Sequence, residues 1–521
     1  MELLKKNIHM DRVRSEALSQ MSLEDDMNIP ENKPDVSTVN FEKGTVVIDE
    51  VKPVTDHVNV RGRLLFSILY HTHEGGSGLV ALDGKIPFEE KINLQGAEST
   101  DTVDVDAQVE DLSIGLINSR KLSCQSVVTL NAKVDELYDE EAPIDLRMDG
   151  AGEGAEYRKT PMELAQIAID KNDIFRIKEE VGLPSSYPNI FQILWHSLSL
   201  RDVDFKVMQE KISLQGDIQL FVLYEGEGEE HAVRSFETVI PFSGVLECHG
   251  CREGMIPDLR YCLRQQELAM RPDLDGEERN IGLELLLEIC IKLYEEEKVE
   301  VVSDIYGVTQ EVETQTSPAN LKRLLAKVTG KTKVTDHVRI KGKNKGVLQL
   351  LHSEGKVSLE NQEATENGIT LSGSLQIRVM YVTGDDEAPY ASLQEQLPYR
   401  YTLEVPGIKP QDMGKVHADV EQLQVSMLDG EEMDVKAVLT FSTTVFQNLP
   451  VDLIQSVRTA PLDTAKLGNL PGMVVYTVKP GDNLWNIGKR YYVPVQAIKD
   501  INGLSGDEIR PGQKLLIVKG T

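Results

Sequence analysis

The chain has 521 residues, of which 40% are hydrophobic and 27% charged, and this composition excludes a wholly disordered chain and a collagen-like fibre. Its length exceeds what one hydrophobic core organises and predicts about three or four domains. The formal net charge of −30, from 55 Lys and Arg against 85 Asp and Glu, repels phosphate groups, so we expect neither nucleic acid nor an anionic membrane as a partner.

Membrane insertion and export are not expected either. No run of 18 uncharged apolar residues occurs, and the first nine residues lack the apolar stretch of a signal peptide. The five cysteines are too few, and odd in number, for a disulfide framework, which fits a reducing compartment. The sequence therefore predicts a cytoplasmic protein.

The first 24 residues are predicted to form an amphipathic helix or a mobile arm. The segment after them contains the first copy of a repeat, residues 58–70, which recurs at 212–224 and 369–381. Apolar residues alternate with a period of two in each copy, which predicts a strand with one buried face. A glycine inside each copy, at positions 62, 216 and 373, predicts a bulge or a close backbone approach.

A proline follows each of these glycines after 25 residues, at Pro87, Pro241 and Pro398. Because proline cannot donate a backbone hydrogen bond, it predicts a strand start or a sheet edge. Two further alternating runs follow, most clearly at 103–116 and 122–134. A fainter repeat with two prolines occurs at 29–36 and 183–190 and has no third copy at the equivalent offset.

These repeats predict a mainly β protein with three tandem, sandwich-like domains. The connectors between them are more polar and glycine-rich, and residues 161–171 show a helical pattern. Another polar break is expected at 311–320. The predicted domains are 25–148, 183–310 and 311–455, with a linker and helix at 149–182, a last linker at 456–472 and a small fourth domain at 473–521.

Chemistry-bearing motifs are scarce, and we expect no catalytic residues, no cofactor and no metal. The chain has no Gly-x-Ser-x-Gly elbow, no His-Glu-x-x-His and no dinucleotide fingerprint. Cys248 and Cys251 have the spacing of one zinc knuckle, with Cys262 and His231 nearby, but a structural zinc site needs four ligands. Free thiols are favoured, and metal binding stays open as the alternative. The pattern predicts a protein that is not an enzyme.

The C-terminal segment differs in charge and composition. From Val474 onward it has seven Lys and Arg against four Asp and Glu, a net of +3, which leaves −33 on the preceding residues. Tyr476 begins a strand, a Pro-Gly-Asp turn and a helix with Asp482 as its expected N-cap. A second helix from Pro494 and a final strand at 515–518 complete a βααβ order.

The motifs Tyr-x-Val-x-x-Gly-Asp-x-Leu-Trp-x-Ile, Ile-x-x-Ile-Asn-Gly and Ile-x-Pro-Gly-Gln-x-Leu are similar to the LysM module, over about 474–519. The resemblance implies a shallow groove that binds N-acetylglucosamine polymers, peptidoglycan or chitin, between the loops after the first strand and before the second. Gly488 and Tyr492 depart from the family, where Ala and a small turn residue are usual. The implied groove residues are Gly481, Asp482, Asn483, Leu484, Asp507, Ile509, Arg510 and Pro511.

The three repeats, with Leu-Pro-Ser-Ser-x-Pro-Asn-Ile, the glycine strand and the Ile-Pro-Phe step, resemble the SPOCS domain of sporulating Firmicutes. Three such units before a LysM module resemble the layout of SipL-like spore envelope proteins. The resemblance implies a non-catalytic scaffold that docks to the basement-layer ATPase of the spore coat, and to other coat proteins, on the mother-cell side of the forespore surface. A cell-wall or cortex glycan binder and a hydrolase hidden in a repeat are the alternatives.

Overall fold

The structure, a computed structural model, describes residues 1–73, 78–148, 154–228, 232–340, 346–385, 389–412, 414–461 and 472–518. Three β units of six strands each are followed by a small α/β module. The predicted fold class is confirmed: the protein is mainly β, with three tandem sandwich-like units and a C-terminal βααβ module.

The elements are as follows in chain order. The first unit has β1 (Glu2–Asn28), β2 (Thr38–Val54), β3 (His57–His71), β4 (Leu79–Asn93), β5 (Val103–Asn118) and β6 (Lys121–Arg147). The second has β7 (Ala155–Gly182), β8 (Ile190–Met208), β9 (Lys211–Gly226), β10 (Val233–Glu247), β11 (Ile256–Pro272) and β12 (Glu278–Gly307). The third has β13 (Gln310–Arg339), β14 (Val347–Thr365), β15 (Gly368–Thr383), β16 (Tyr390–Glu404), a 3-10 turn (Pro410–Asp412), β17 (His417–Met427) and β18 (Glu432–Pro461). The module has β19 (Met473–Thr477), α1 (Leu484–Tyr491), α2 (Val495–Asn502) and β20 (Lys514–Val518).

Each unit is built from two antiparallel three-stranded sheets with the same topology. In the first unit the sheet orders are β2-β3-β4 and β1-β6-β5, and the other two units repeat this order strand for strand. The repeated glycine strands β3, β9 and β15 are therefore central strands. Their alternating apolar side chains, such as Val60 and Leu64, are fully buried between the two sheets and form the core of each sandwich.

The glycines of the repeat allow an aromatic ring to lie on the central strand. Gly62 is paired directly with Phe88 of the edge strand β4, and a Cβ atom at Gly62 would lie 2.6 Å from that ring. Gly216 is paired in the same way with Phe242. The predicted close approach is confirmed, and so is the edge position of Pro87, next to Phe88.

Three sequence predictions for the segments between the sandwiches are wrong. The first 24 residues form no helix or arm but lie in β1, which pairs with β6 over its whole length. The helical pattern at 161–171 belongs to β7, and the expected polar break at 311–320 lies inside β13. In each case a long antiparallel partner supplies the backbone hydrogen bonds, and this pairing overrides local propensity. Residues 149–153 and 462–471 of the predicted linkers lie outside the described residues.

The long first and last strands of each unit extend beyond the sandwich as two-stranded ribbons. The offsets of 154 and 157 residues that relate Gly62, Gly216 and Gly373 also relate Met10, Leu164 and Leu321, and all three of the latter are buried in one cluster. The three ribbons therefore pack on one another at equivalent positions. Other members of this cluster are Ile8, Ala142, Val299, Val301, Ala319 and Leu453.

The three sandwiches also meet at equivalent positions of β2, β8 and β14. Lys43, Ser197 and Glu354 are related by the same offsets, and the Glu354 carboxylate accepts hydrogen bonds from the Ser197 hydroxyl (2.9 Å) and the Lys43 ammonium (3.2 Å). Two residues before them, Phe41 and Trp195 pack with ring centroids 6.1 Å apart. Each unit thus contacts both others, and the repeats form one closed three-way body.

In each of the first two units, an arginine donates hydrogen bonds to the loop that the fainter repeat forms. In the second unit the Arg279 guanidinium donates to the carbonyl oxygens of Pro184 (2.9 Å) and Tyr187 (3.0 Å) and to the side-chain oxygen of Asn189 (2.8 Å). Arg120 binds the equivalent loop of the first unit. The fainter repeat is therefore the sequence of an arginine-bound loop.

Replacing Arg279 with Lys should lower the free energy of unfolding by about 1.5 kcal/mol, because an ammonium cannot reproduce the guanidinium fork. Urea denaturation followed by circular dichroism measures the change. Arg252→Lys is the control, since Arg252 is exposed and pairs with a single carboxylate on the surface. Equal losses in the two variants would contradict the role of the loop contacts.

Candidate functional site

The C-terminal module is a two-stranded sheet covered by two short helices. β19 and β20 pair antiparallel, and one face of this sheet packs on α1 and α2 through a small aliphatic core. α1 is capped at its start by Asn483, whose side-chain oxygen accepts from the Asn486 backbone N–H at 2.8 Å. The expectation that Asp482 is the N-cap is therefore wrong, because Asp482 is used one step earlier in the turn.

Asp482 stabilises the loop that precedes α1. Its carboxylate accepts hydrogen bonds from the Tyr476 hydroxyl (2.6 Å) and from the Lys479 backbone N–H (2.8 Å). The Tyr476 hydrogen bond is the main reason why the pKa of Asp482 is lowered. These hydrogen bonds fix the conformation of the loop on one side of the predicted groove.

The two predicted groove loops lie side by side. The Val478 backbone N–H donates to the Gln513 carbonyl at 2.9 Å, and the Gly512 N–H donates to the Val478 carbonyl at 2.8 Å. Leu484, which is buried, and Ile509, which is partly buried, pack in the same apolar cluster and join the two loops. The structure thus brings together the loops that the sequence predicted to form the groove.

The residues predicted to form the rim of the groove are exposed to solvent. Gly481 and Asn483 are exposed on one loop, and Asp507, Arg510 and Pro511 are exposed on the other. The Asp507 carboxylate pairs with the Lys499 ammonium at 2.8 Å. A polar, exposed rim beside an apolar cluster can hydrogen-bond the amide groups of a ligand and pack on its methyl groups.

Sequence reasoning missed a second exposed surface on the module. Val475 lies directly opposite Leu516, and Met473 lies opposite Val518, on the sheet face that points away from the helices. Met473 and Val475 are 62% and 64% exposed. We call these four residues the outer sheet face. The signal was present, because both strands are continuous apolar runs where a half-buried sheet should alternate.

The cysteine pair of the second unit belongs to its hydrophobic core. Cys248 and Cys251 are both fully buried, and they stand where the first unit has Leu94 and Ala97. Burial is the largest of the causes that raise the pKa of the Cys248 thiol, to about 11, so it stays protonated. Among the described residues no cluster of three or more His, Cys, Asp or Glu side chains could hold a metal, and His231 lies outside those residues.

A cavity of ≈ 700 Å³ lies where the three sandwiches meet. His352 faces it with both ring nitrogens unpartnered, and burial lowers the pKa of this imidazole to about 4, so it is neutral. Positive and negative side chains balance, so the lining favours no charged class of ligand. The charged lining residues are Lys43, Arg201, Lys356, Arg378, Glu110, Asp111, Glu354 and Asp419.

The fold defines a class of protein: three tandem β-sandwich units that carry a small βααβ module. Comparison with protein families agrees with this class. The description "SipL, SPOCS domain" matches residues 35–117, 189–270 and 346–428, and the LysM domain matches 476–518. The chain therefore has a SipL-like architecture, and both kinds of domain are binding domains, not catalytic ones. Each SPOCS match covers the middle four strands of a unit and leaves out the long ribbon strands.

Curated relatives match over short stretches. The chain is 50% identical over 42 residues to an autolysin of Enterococcus faecalis, covering 8% of this chain and 6% of the autolysin. It is 49% identical over 43 residues to the uncharacterized protein YkzQ of Bacillus subtilis, covering 8% of this chain and 57% of YkzQ. It is 46% identical over 46 residues to the probable peptidoglycan endopeptidase LytE of Bacillus subtilis, covering 9% and 14%. The matches thus span less than two thirds of each relative.

No solved structure matches the chain. Within the described part of the chain, no helix is long and apolar enough to cross a bilayer.

Proposed function

We propose that the chain is a non-catalytic scaffold of spore coat assembly. In this proposal it docks to the basement-layer ATPase of the coat, and to other coat proteins, at the forespore surface on the mother-cell side. The SipL-like architecture supports the sporulation role. The observation that carries the docking role is the outer sheet face of the LysM module, where Met473 and Val475 are exposed and Leu516 and Val518 are partly exposed.

The chemistry of this face favours a protein partner over a sugar. Its four side chains offer no hydrogen-bond donor or acceptor, whereas a polysaccharide needs many of both. Burial of apolar surface stabilises a complex by about 25 cal/mol per Å², so an aliphatic partner surface gains affinity here. The contiguous exposure of Met473 and Val475 is therefore what a protein interface requires.

Binding to the immobilised basement-layer ATPase tests the proposal with the full-length chain. Val475→Glu should abolish retention, because it places a charge in the centre of the outer sheet face. Leu18→Glu is the matched control, since Leu18 is a 68% exposed aliphatic residue on a strand of the first unit. Undiminished binding by Val475→Glu would overturn the docking role of this face.

Localisation in sporulating cells tests the cellular part of the proposal. A fluorescent fusion should form a ring around the forespore, and the Val475→Glu fusion should be diffuse in the mother cell. A diffuse signal from the unaltered fusion would contradict the scaffold role.

A second candidate function is binding of an N-acetylglucosamine polymer such as peptidoglycan. The open groove favours it, as does the similarity of the module to the probable peptidoglycan endopeptidase LytE. Retention of the full chain on insoluble peptidoglycan should then be reduced by Arg510→Glu, at the exposed rim. Lys514→Glu, an equal charge change outside the groove, should bind normally. Loss of ATPase binding without loss of peptidoglycan binding in Val475→Glu would assign the two surfaces to two ligands.

A further inference from the structure

The helix α1 of the LysM module is not free but packs on the end of the second ribbon. The Trp485 indole N–H donates to one carboxylate oxygen of Asp304 at 2.8 Å, and the Lys489 ammonium donates to the other at 2.6 Å. Burial alone would raise the pKa of Asp304, but the hydrogen bonds from Lys489 and Trp485 outweigh it, and the pKa is lowered. Both carboxylate oxygens of Asp304 are thus used by the module.

Tyr306 completes the contact and explains an unusual glycine. Its hydroxyl donates to the Val493 carbonyl at 2.9 Å, and its ring lies edge-on to Trp485 with centroids 4.8 Å apart. A Cβ atom at Gly488 would stand 2.7 Å from the Tyr306 hydroxyl and 2.7 Å from the Val493 carbonyl. The absence of a side chain at Gly488 therefore lets the tyrosine reach the backbone of the module.

Only the second ribbon offers this combination of side chains. Arg158, Asp304 and Tyr306 form what we call the ribbon site, and Arg158 lies 5.5 Å from the centre of the Trp485 ring. The repeat offsets and strand register identify the equivalent residues of the other two ribbons. These are Leu4, Asp145 and Arg147 in the first ribbon and Gln315, Ser456 and Arg458 in the third.

Neither of the other two ribbons can replace the ribbon site. Asp145 of the first ribbon is already hydrogen-bonded by the Tyr157 hydroxyl at 2.7 Å. The third ribbon has Ser456 in place of a carboxylate, and neither ribbon has an aromatic ring at the position of Tyr306. The module can therefore make this set of contacts at the second ribbon but not at the equivalent positions of the first or third ribbon.

We propose that the ribbon site is a dedicated docking surface for α1, which fixes the LysM module on the β units in one orientation. The net charges of +3 on the module and −33 on the rest of the chain favour this docking at long range. In the docked orientation the groove rim and the outer sheet face stay exposed, whereas the side of α1 that carries Trp485 and Gly488 is covered by the ribbon. The proposal is independent of what the groove binds.

Tryptophan fluorescence of the full-length chain tests the docking. The chain has two tryptophans, so Trp195→Phe leaves Trp485 as the reporter, and Phe is tolerated because Phe41 stands at the equivalent position of the first unit. In this background, Asp304→Ala combined with Tyr306→Ala should red-shift the emission and raise the acrylamide quenching constant. Lys489→Glu, made on the opposite surface, should have the same effect.

Asp145→Ala is the matched control, since it removes the equivalent aspartate of the first ribbon, whose side chain pairs with Tyr157 and Lys159 rather than with the module. Circular dichroism should show the same strand content for all variants. The proposal would be overturned if Trp485 were as accessible to acrylamide in the Trp195→Phe chain as in the Asp304→Ala, Tyr306→Ala chain. A shift of equal size in the Asp145→Ala chain would overturn it as well.

Discussion

Replacing Lys292 with Met is expected to lower the free energy of unfolding by about 3–5 kcal/mol, because it removes the buried ammonium group that three carboxylates share. Lys292 is 8% exposed and lies between the first two units. Its ammonium contacts Asp135 at 2.7 Å, Asp11 at 3.5 Å and Asp170 at 3.7 Å. Lys322 of the third unit pairs with the same Asp11 at 3.0 Å, so the network joins all three units.

The loss of stability caused by Lys292→Met should itself depend on pH. In the natural chain, attraction to the lysines outweighs burial and lowers the pKa of Asp11 and Asp135 below 3.8. Their contribution is therefore fully present above about pH 4 and is lost as the pH falls through the lowered values. Burial raises the pKa of Asp170, so the charged form of this residue is destabilising and its effect is relieved as the pH falls.

Without Lys292, burial is opposed less at Asp170, so its pKa rises further above the ordinary value. Asp135 keeps its ion pair with Lys133 at 2.7 Å, so its pKa changes less. At Asp170 the folded variant then takes up a proton at a pH where the unfolded chain does not, so acidification relieves this part of the destabilisation. The difference in the free energy of unfolding between the variant and the natural chain should be largest near neutral pH and should shrink towards about pH 5. Urea denaturation at a series of pH values measures this. Lys178→Met, at an exposed pair with Glu284, is the control and should have little effect. A deficit that grows on acidification would refute the network's role.

The sequence predicted the sandwiches well because their signals are local. Alternation with a period of two defines the central strands, and the spacing from Gly62 to Phe88 is one hairpin, so both residues of the contact lie within a short stretch of chain. The turns that flank the predicted groove of the module were predictable for the same reason. Its loops are short turns, and the residues that shape them, such as Gly481 and Asp482, are adjacent in sequence.

The ribbons and the docking of α1 depend on partners that are distant in sequence. The apolar residues of β7 that pack on the other ribbons include Met162 and Leu164, and in a single stretch of sequence this pattern suggests a helix. Trp485 and Asp304 are separated by 181 residues, so no periodicity connects them. In the sequence, Gly488 signalled this contact as a departure from the LysM pattern. The glycine is explained by Tyr306, which lies in the second β unit and leaves no room for a side chain at position 488.

Alanine substitutions at the three repeat glycines are expected to destabilise the protein to unequal extents, although the glycines occupy equivalent positions. A Cβ atom at Gly373 would overlap the Ser358 carbonyl oxygen, and one at Gly62 would lie 2.6 Å from the Val47 carbonyl oxygen. At Gly216 the nearest atom belongs to the Phe242 ring, at 2.9 Å, and the nearest backbone oxygen is 3.2 Å away. A ring can move by a small rotation, whereas a paired strand cannot move without breaking its register.

We therefore expect Gly373→Ala to cost about 3 kcal/mol and Gly62→Ala about 2 kcal/mol, through forced movement of β14 and β2. Gly216→Ala should cost less than about 1 kcal/mol, because the lower backbone entropy of alanine in the unfolded chain offsets part of the crowding. Urea denaturation of the three variants under one set of conditions measures the order. Gly96→Ala serves as a control of another kind: nothing lies near its Cβ, but its φ of 82° makes alanine unfavourable by strain alone. If Gly216→Ala proved the most destabilising of the repeat variants, the close approach of carbonyl oxygens would not be what requires these glycines.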